Sequence, residues 1–324
     1  MSDRVRSHPG RRLWAAVALA AASLVAVGGA SSAGGAASCG TVTLNEQAWA
    51  GSTANTYVAK YVLEHNLGCT VKITKIAEIP VFQAMADGKV DAILEDWQHT
   101  DEYAQYVTKQ KTVVRIGGNG VTGIIGWFIP KYLLDQYPTF KNWSGLKGKE
   151  SIFKSPESGS QGMFLGGDPS YVQKDKELIA GLKLNFKHVT VGAEPAQVAR
   201  WTQLYKQKKP VIFYWYDPQF LNAQYQVVEV KLPNRFAGCK DDSKAGGNPK
   251  DYACAYPSYV LEKLISKKFA TSGSPAVKFL KKWKWANADQ NAVAKMIAGD
   301  HMNPDKAAEK WVKANPGKVK AWLR

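Results

Sequence analysis

The sequence predicts an α/β protein built from two lobes, with mainly parallel strands. Its 324 residues exceed what one compact core usually supports. Hydrophobic residues make up 45% of the chain and charged residues 22%, which is ordinary globular composition. Beyond the first forty residues, short segments with strand-like alternation are followed repeatedly by segments with helical spacing. This succession is typical of layered α/β architectures with parallel strands.

The N-terminal residues have the order of a secretory signal. Four arginines lie among the first twelve residues, an uncharged run covers residues 13–27, and small residues follow. The uncharged run is shorter than the roughly 20 residues that span a bilayer. We therefore expect residues 1–38 to be a signal peptide and the mature protein to be secreted or otherwise extracytoplasmic. The pair Arg11 and Arg12 leaves a twin-arginine export signal open as an alternative.

The four cysteines, an even number in an exported chain, favour disulfides over metal binding or catalysis. Cys39 and Cys69 each stand just before a predicted strand. If those two strands are parallel neighbours, the two sulfur atoms lie side by side at one edge of the sheet, as disulfide geometry requires. We therefore predict a Cys39–Cys69 bond and a Cys239–Cys254 bond that closes a surface loop. A lipid anchor at Cys39, which follows small residues, is the alternative.

The order of the predicted elements divides the chain into two lobes. Strands are expected at 41–47, 70–76, 90–96 and 112–116, and helices at 52–68, 80–88 and 100–109. A strand at 123–130 then crosses to a second unit, with a helix near 174–182, a strand at 185–191, a helix at 194–208 and a strand at 210–216. Residues 226–232 are expected to return to the first lobe as a strand. The last 70 residues or so are expected to be largely helical, with four tryptophans packing on that lobe: Trp283, Trp285, Trp311 and Trp322.

Aromatic residues recur where predicted strands end. Trp49 follows the first strand, Trp97 the third, and Trp215 and Tyr216 end the strand at 210–216; Trp127 lies in the crossover strand. In open α/β sheets ligands bind beyond the carboxyl ends of the strands. Several ring faces converging on one point suit a cation that cannot donate hydrogen bonds, namely a quaternary ammonium. The sequence therefore predicts an aromatic cage at this place, with core packing of the same residues as the alternative.

Four segments resemble one protein family. TVTLNEQAWAGSTANTYVAKYVLE, VFQAMADGKVDAILEDWQ, GWFIPKYL and KKPVIFYWYDPQFLNAQY occur in the order seen in the substrate-binding proteins of glycine betaine, proline betaine and choline importers, the ProX/OpuAC group. The resemblance extends from about residue 41 to 236 and more loosely to the C-terminus. It implies that Trp49, Trp97, Trp127 and Tyr216 occupy the aromatic positions of the family's ligand site. Trp215 stays a candidate, although alternation along a strand turns it to the opposite side.

The resemblance also implies the fold and the partners. We expect a type II two-lobed periplasmic-binding-protein fold with the ligand in the interlobe cleft, lobe 1 comprising residues 39–126 and 220–324 and lobe 2 residues 127–219. Hinges are expected near 126–128 and 217–220, so that closure dries the cleft and creates the form that a membrane permease of an ABC importer recognises. The ligand would be a small quaternary amine, and a monomer is expected.

The chain departs from the family pattern at the polar end of the ligand. Gln219 follows the proline where many betaine binders have His or an aromatic residue, and the loop SPESGSQG lacks the tryptophan that some members have there. A betaine carboxylate could meet backbone N–H groups of Ser158, Gly159 and Ser160 before a possible helix at Gln161; a plain surface turn is the alternative.

Acidic residues at strand ends raise the possibility of other ligands. Choline has no carboxylate and would favour a nearby acid, for which Glu46, Glu95 and Asp96 are candidates, although rim charges in solvent are the alternative. The second hypothesis is that the same fold binds a different amine or an amino acid, with Glu46 or Asp96 pairing with a primary ammonium.

Other function classes lack their motifs. Residues 118–123, GNGVTG, match a dinucleotide fingerprint, but a β-rich segment follows where the fingerprint requires a helix, so a hinge or turn is the better interpretation. The histidines show no metal spacing, and no nucleophile–base pair supports a secreted enzyme. The net charge of +16 is concentrated on C-terminal lysines and is interpreted as a solvated helical face. We therefore expect no cofactor, no metal and no nucleic acid.

Overall fold

The computed structural model describes residues 39–242 and 247–324, so the predicted signal peptide lies outside the described residues. The strands are β1 (Thr41–Asn45), β2 (Thr70–Thr74), β3 (Ala92–Asp96), β4 (Val113–Pro130), β5 (Gly162–Gly166), β6 (Phe186–Thr190), β7 (Ile212–Asp217), β8 (Val227–Val230) and β9 (Ser258–Ser266). No helix within the described part of the chain has the length and apolar composition needed to cross a membrane.

Helices lie between these strands and dominate the C-terminal region. They are α1 (Ala50–Leu67), α2 (Pro80–Ala86), α3 (Thr100–Glu102), α4 (Lys131–Gln136), α5 (Asp175–Gly181), α6 (Glu194–Lys206), α7 (Lys267–Ala270), α8 (Pro275–Lys282), α9 (Asn287–Ala294), α10 (Pro304–Ala314) and α11 (Pro316–Leu323). Helices α3 and α9 continue as π-helical turns at Tyr103–Lys109 and Lys295–Gly299, and short 3₁₀ turns occupy Pro138–Lys141, Trp143–Leu146, Glu150–Phe153, Phe220–Ala223 and Pro249–Tyr252.

The strands form a mixed sheet in the order β2-β1-β3-β9-β4-β7-β5-β6, with β8 paired to β4 beside this path. Pairs β1–β2, β1–β3, β5–β6 and β5–β7 are parallel, whereas β9 and β4 pair antiparallel with their neighbours. The long β4 joins the two halves, because its first part pairs with β9 and its last part with β7 and β8. The predicted parallel strands are therefore present, but the centre of the sheet is antiparallel.

Local sequence explains the ends of the elements that carry the site. Helix α1 ends at Gly68, which adopts a left-handed conformation with φ 66° that costs glycine little. Helix α2 begins at Pro80, whose fixed φ suits a first helical turn. β3 is buried along its whole length, as expected for a strand with helices on both faces.

Two predictions about elements were wrong. A helix was expected at Gln161, whereas residues 162–166 form β5, a fully buried strand whose glycines obscured its pattern. The segment GNGVTG is not a turn but the irregular middle of β4, where the register with β9 shifts. Glycines at positive φ accommodate this irregularity: Gly117 has φ 92° and Gly120 has φ 93°.

The predicted disulfides are the ones observed. Cys39 bonds to Cys69, with 4.8 Å between their Cα atoms, and Cys239 bonds to Cys254 at 6.4 Å, both within the usual range. β1 and β2 are parallel neighbours, as the prediction required. The first bond uses the sulfur atom that a lipid anchor at Cys39 would need.

The C-terminal tryptophans form a buried cluster, as expected. Trp283 and Trp285 lie 5.4 Å apart between ring centroids, and Trp311 stacks on Trp322 at 5.8 Å. All four belong to the main core, together with α1 and the first strands. β8 pairs with β4 at Trp127–Pro130, on the edge of β4 opposite to β7, so the predicted return strand is present. The lobe boundaries themselves stay a prediction.

Candidate functional site

A small cavity lies where strand ends from both predicted lobes meet. Its lining residues are Trp49, Glu78, Trp97, Tyr171, Val172, Tyr214 and Tyr216. Five of its seven lining residues are aromatic, so ring faces make up most of its wall.

Strand ends explain why these rings converge. Trp49 stands between β1 and α1, and Trp97 directly follows β3. Tyr214 and Tyr216 lie two positions apart on β7 and therefore project from the same face. Four rings of the cavity wall therefore lie at or just beyond the ends of β1, β3 and β7. The fifth ring, Tyr171, lies in the segment that leads into α5.

The rings meet mainly edge to face. Trp49 and Tyr171 have centroids 5.4 Å apart at 87°, and Trp97 and Tyr216 lie 5.7 Å apart at 78°. Tyr259 also contacts Trp97, with ring centroids 5.7 Å apart. Trp49, Trp97 and Tyr216 are each 5% exposed, so their faces border a nearly dry space. Electron-rich faces bind a cation more strongly when the site is dry.

A single carboxylate fixes both indoles. Trp49 Nε1 donates to Glu95 Oε1 at 2.8 Å, and Trp97 Nε1 donates to the same oxygen at 3.1 Å. Asn55 Nδ2 donates to the other oxygen, Oε2, at 2.6 Å. Glu95 was predicted as a candidate acid for the ligand, but it does not line the cavity; it lies behind the rings and sets their orientation.

Gly123 allows Trp97 to occupy its place. A Cβ atom at residue 123 would lie 2.5 Å from Cη2 of the Trp97 ring and 2.6 Å from Cζ3, closer than real contacts permit. The last glycine of GNGVTG therefore allows the backbone to approach the Trp97 ring closely, which accounts for it without a nucleotide.

Glu78 is the one charged residue in the cavity wall. Its Oε2 lies 3.3 Å from His99 Nε2, and His99 Nδ1 lies 2.6 Å from Asp242 Oδ2. Burial raises the pKa of Glu78 to about 7, although His99 acts in the opposite direction. Burial also lowers the pKa of His99, but Glu78 and Asp242 outweigh it and hold that pKa well above its usual value. The imidazole therefore lies between two acids that favour its charged form.

A group of possible metal ligands adjoins this pair. Donor atoms of His99, Glu102 and Asp242 lie within 4.8 Å of one another. Both nitrogens of His99 already face carboxylates, so we interpret the group as an ion-pair network.

The phenol groups differ in what they offer a ligand. Tyr214 donates to Val172 O at 3.1 Å, and Tyr171 donates to Ala48 O at 2.9 Å. The hydroxyl of Tyr216 is buried and has no hydrogen-bond partner. Oε1 of Glu78 is likewise buried without a partner. The wall therefore presents one free hydroxyl and one free carboxylate oxygen.

Comparison with known proteins identifies the family. The family model for the substrate-binding domain of ABC-type glycine betaine transport systems matches residues 40–314. The chain belongs to this family. It is thus a transport binding protein that works outside the cytoplasm, and its two disulfides accord with that compartment.

Individual relatives of this ABC binding protein include one curated protein and two solved structures. It is 24% identical over 279 residues to the trimethylamine N-oxide-binding protein of Pelagibacter ubique (strain HTCC1062), covering 82% of this chain and 85% of that one. The glycine betaine/L-proline-binding protein ProX of Borrelia burgdorferi matches with TM-score 0.70 and 20% identity, over 88% and 97% of the two chains. An ABC-transporter choline-binding protein in complex with choline matches with TM-score 0.69 and 19% identity, over 88% and 92%. The two-lobed periplasmic-binding-protein fold expected from the sequence is thereby confirmed.

The binding protein places two other predicted aromatics in its core. Trp127 is fully buried, donates from Nε1 to Asp175 Oδ1 at 2.7 Å and packs on Phe164. Trp215 faces the opposite side of β7, donates to Asn222 Oδ1 at 2.7 Å and packs on Trp201. Neither lines the cavity. Trp215 projects from the face of β7 opposite to Tyr214 and Tyr216. Trp127 is paired with Tyr214 and therefore shares its face, but its contacts with Asp175 and Phe164 keep it out of the wall.

The predicted polar residues also lie elsewhere. Glu46 accepts from Thr53 at 2.8 Å and borders a neighbouring groove of the binding protein. Asp96 accepts from Tyr103 at 2.5 Å and from the backbone N–H of Gln98. Ser158, Gly159 and Ser160 form a turn before β5 rather than the start of a helix, and none of them lines the cavity.

Sequence reasoning did not name Glu78, Tyr171 or Tyr214. Tyr214 could have been found, because it stands two residues before Tyr216 on a predicted strand. Glu78 lies just beyond the predicted strand at 70–76, in the kind of position from which Trp49 and Trp97 were inferred. Tyr171 lies in a loop that offers no periodic pattern.

Proposed function

We propose that this binding protein captures a small methylated ammonium solute in the aromatic cavity and presents it to the membrane permease of an ABC importer. The observation that carries the proposal is the enclosure of one small cavity by five aromatic rings and a single buried carboxylate. A quaternary nitrogen has no proton to share, and ring faces are the partners that suit it.

The energetics are adequate for such a ligand. Each ring contributes about 0.5 to 2 kcal/mol, the higher figure in a dry site. Micromolar affinity corresponds to about 8 kcal/mol. Rings from Trp49, Trp97 and the tyrosines, together with the charge of Glu78, can therefore supply most of that amount. The names of the relatives, which refer to trimethylamine N-oxide, choline and glycine betaine, support the same class of solute.

The two-lobed fold supports a capture mechanism. The lining residues fall on both sides of the predicted lobe boundary: Glu78 and the two indoles in lobe 1, and the three tyrosines and Val172 in lobe 2. We propose that opening at hinges near 126–128 and 217–220 admits the solute and that closure excludes water. The closed form is then the one that the permease distinguishes from the empty protein.

A primary amine is the competing ligand. An ammonium group has three donors that require acceptors. The cavity wall has few free ones, namely Glu78 and the hydroxyl of Tyr216. An amino acid would further require donors for its carboxylate. The methylated nitrogen is therefore favoured.

The test is a titration of the purified protein with choline, glycine betaine, trimethylamine N-oxide and a primary amine. Binding is measured by calorimetry and by tryptophan fluorescence. We expect a methylated compound to bind, and Trp97→Ala to weaken that binding at least about tenfold, the equivalent of 1.4 kcal/mol. Trp143→Ala removes a half-buried tryptophan outside the cavity and is the matched control. Binding of the primary amine alone would reject the proposal.

A further inference from the structure

Three buried carboxylates surround the aromatic cavity. Glu78 lines it, Glu95 lies directly behind the two indoles, and Glu194 lies beside Trp49, where its Oε1 accepts from the backbone N–H of Ala50 at 3.0 Å. The side chains are 2%, 1% and 4% exposed. Burying an ionised carboxylate is costly unless an opposite charge or hydrogen bonds compensate for it.

Little positive charge faces these acids. Glu78 faces His99, but the same imidazole also pairs with Asp242. Asp96 adds negative charge near Glu78. No lysine or arginine of the described chain lines the cavity.

The other two carboxylates rely on neutral donors. Glu95 is held by indole and amide N–H groups, and Glu194 by the backbone N–H of Ala50. Burial raises the pKa of Glu95, and repulsion from the nearby carboxylates of Glu78 and Glu194 raises it further. The cavity therefore has a deficit of positive charge.

We propose that this deficit makes the site selective for ligands of net positive charge over zwitterions, and that binding of such a cation releases protons from the buried carboxylates. The inference rests on the proposed function and narrows it. A quaternary ammonium alcohol would place its nitrogen among the rings and its hydroxyl between Glu78 and the free hydroxyl of Tyr216. A betaine would bring a second carboxylate towards Glu78, where the wall provides no cationic donor.

The direction of the proton linkage follows from the environment. Burial raises the pKa of Glu78 and of Glu194 to about 7 and that of Glu95 to about 8. The phenols of Tyr171 and Tyr214 stay neutral, because burial and then nearby acids raise their pKa further. A bound cation stabilises the ionised carboxylates and lowers their pKa values. Affinity for a cation must therefore increase as pH rises through this range and level off above it.

The experiment measures choline binding to the full mature protein by calorimetry between about pH 5.5 and pH 8.5, in buffers of different ionisation enthalpy. We expect proton release and an affinity that increases by up to about tenfold per pH unit for each proton released. Glycine betaine should bind more weakly than choline at the upper end of this range. Dimethylbutanol, the uncharged carbon analogue of choline, should show no pH dependence.

Two variants separate charge from shape. Glu78→Gln keeps the size of the side chain and should reduce both the pH slope and the preference for choline over glycine betaine. Glu309→Gln, on the surface helix α10, is the control; Lys313 and Lys306 lower the pKa of Glu309 to about 2, so it does not titrate in this range. It should behave as the native protein does.

The outcomes distinguish the two proposals. Choline binding with no proton release and a flat pH profile would reject the charge-compensation inference while the proposed function stands. Tighter binding of glycine betaine than of choline would do the same. Failure of every methylated ammonium compound to bind at any pH would reject both. The measurements on the native protein decide the matter even if Glu78→Gln does not fold.

Discussion

Glu95 is the residue whose replacement tests the construction of the cage most directly. Its Oε1 accepts from Trp49 and Trp97, at 2.8 Å and 3.1 Å. Glu95→Leu keeps roughly the volume of the side chain but removes both acceptors. A buried donor left without a partner costs about 1–3 kcal/mol, so the two indoles together would cost about 2–6 kcal/mol if they stayed in place.

The rings can avoid that cost only by turning. Turning would recover hydrogen bonds elsewhere but would remove two faces of the cavity, each contributing about 0.5 to 2 kcal/mol to cation binding. We therefore expect Glu95→Leu to lower the free energy of unfolding, the affinity, or both, by at least about 1–2 kcal/mol in total. Glu95→Gln retains an oxygen that can accept from both indoles and should lose less.

The assay combines urea unfolding with a choline titration on the same preparations. Glu150→Leu is the matched control, because Glu150 is 5% exposed and accepts from the backbone N–H of Asn185 at 3.2 Å, but does not line the cavity. It should reduce stability without reducing affinity. If Glu95→Leu left both the unfolding free energy and the affinity at native values, the reasoning about indole orientation would be refuted.

Three further predictions follow from the fold and the site. Replacing Cys39 and Cys69 by serine should lower the free energy of unfolding by about 3–4 kcal/mol, because the bond closes a loop of 30 residues; an unchanged urea midpoint would contradict this. Gly123→Ala should weaken choline binding at least about tenfold by displacing Trp97. Gly317→Ala is the control and should not weaken it, because a Cβ there meets nothing within 4 Å. Equal choline titration curves for the two variants would argue against this prediction. The unliganded protein should lose stability in urea as pH rises from about 4.5 to 8. The folded-state pKa values of Glu78, Glu95 and Glu194 are raised to about 7, 8 and 7, so the folded state binds more protons than the unfolded state over this range. A stability that increased over this range would count against those values.

The rings at strand ends were predictable because one rule covers them. Trp49 and Trp97 follow parallel strands β1 and β3, and the carboxyl ends of such strands border a crevice. Tyr216 belongs with them because β7, which pairs in parallel with β5, ends nearby. Parallel pairing of β1 with β2 likewise made the first disulfide predictable. In each case the position along a strand determines the position in space.

The correct face of a strand did not by itself bring Trp127 into the cavity wall. Trp127 lies in β4, between β7 and β8, and is paired with Tyr214, so both rings project from the same face of the sheet. Its N–H donates to Asp175 and its ring packs on Phe164, which keeps it out of the wall. β4 is buried on both faces towards its end, so its sequence shows no alternation from which these contacts could be inferred.

Two of the cavity residues that the sequence did not reveal, Tyr171 and Glu78, lie in loops. Tyr171 lies in a loop whose course depends on contacts distant in sequence, such as its bond to Ala48 O. Glu78 is an unremarkable acid in the sequence, and only burial beside His99 gives it significance. Loops have no period from which the direction of a side chain can be inferred.

Burial would strengthen the proposed cation binding, and it also makes ionised carboxylates beside an unliganded cavity unfavourable. A closed, empty cavity leaves Glu78 and the acids behind the rings with too few opposite charges, and these acids must either take up protons or remain ionised at a cost. Opening the lobes would readmit water and relieve that cost, whereas a bound cation relieves it without opening. Charge compensation can therefore link the chemistry of the ligand to closure. A ligand that fills the cavity but carries no net charge would bind the rings, yet it would stabilise the closed form less, because only differential interaction with the two forms shifts their equilibrium.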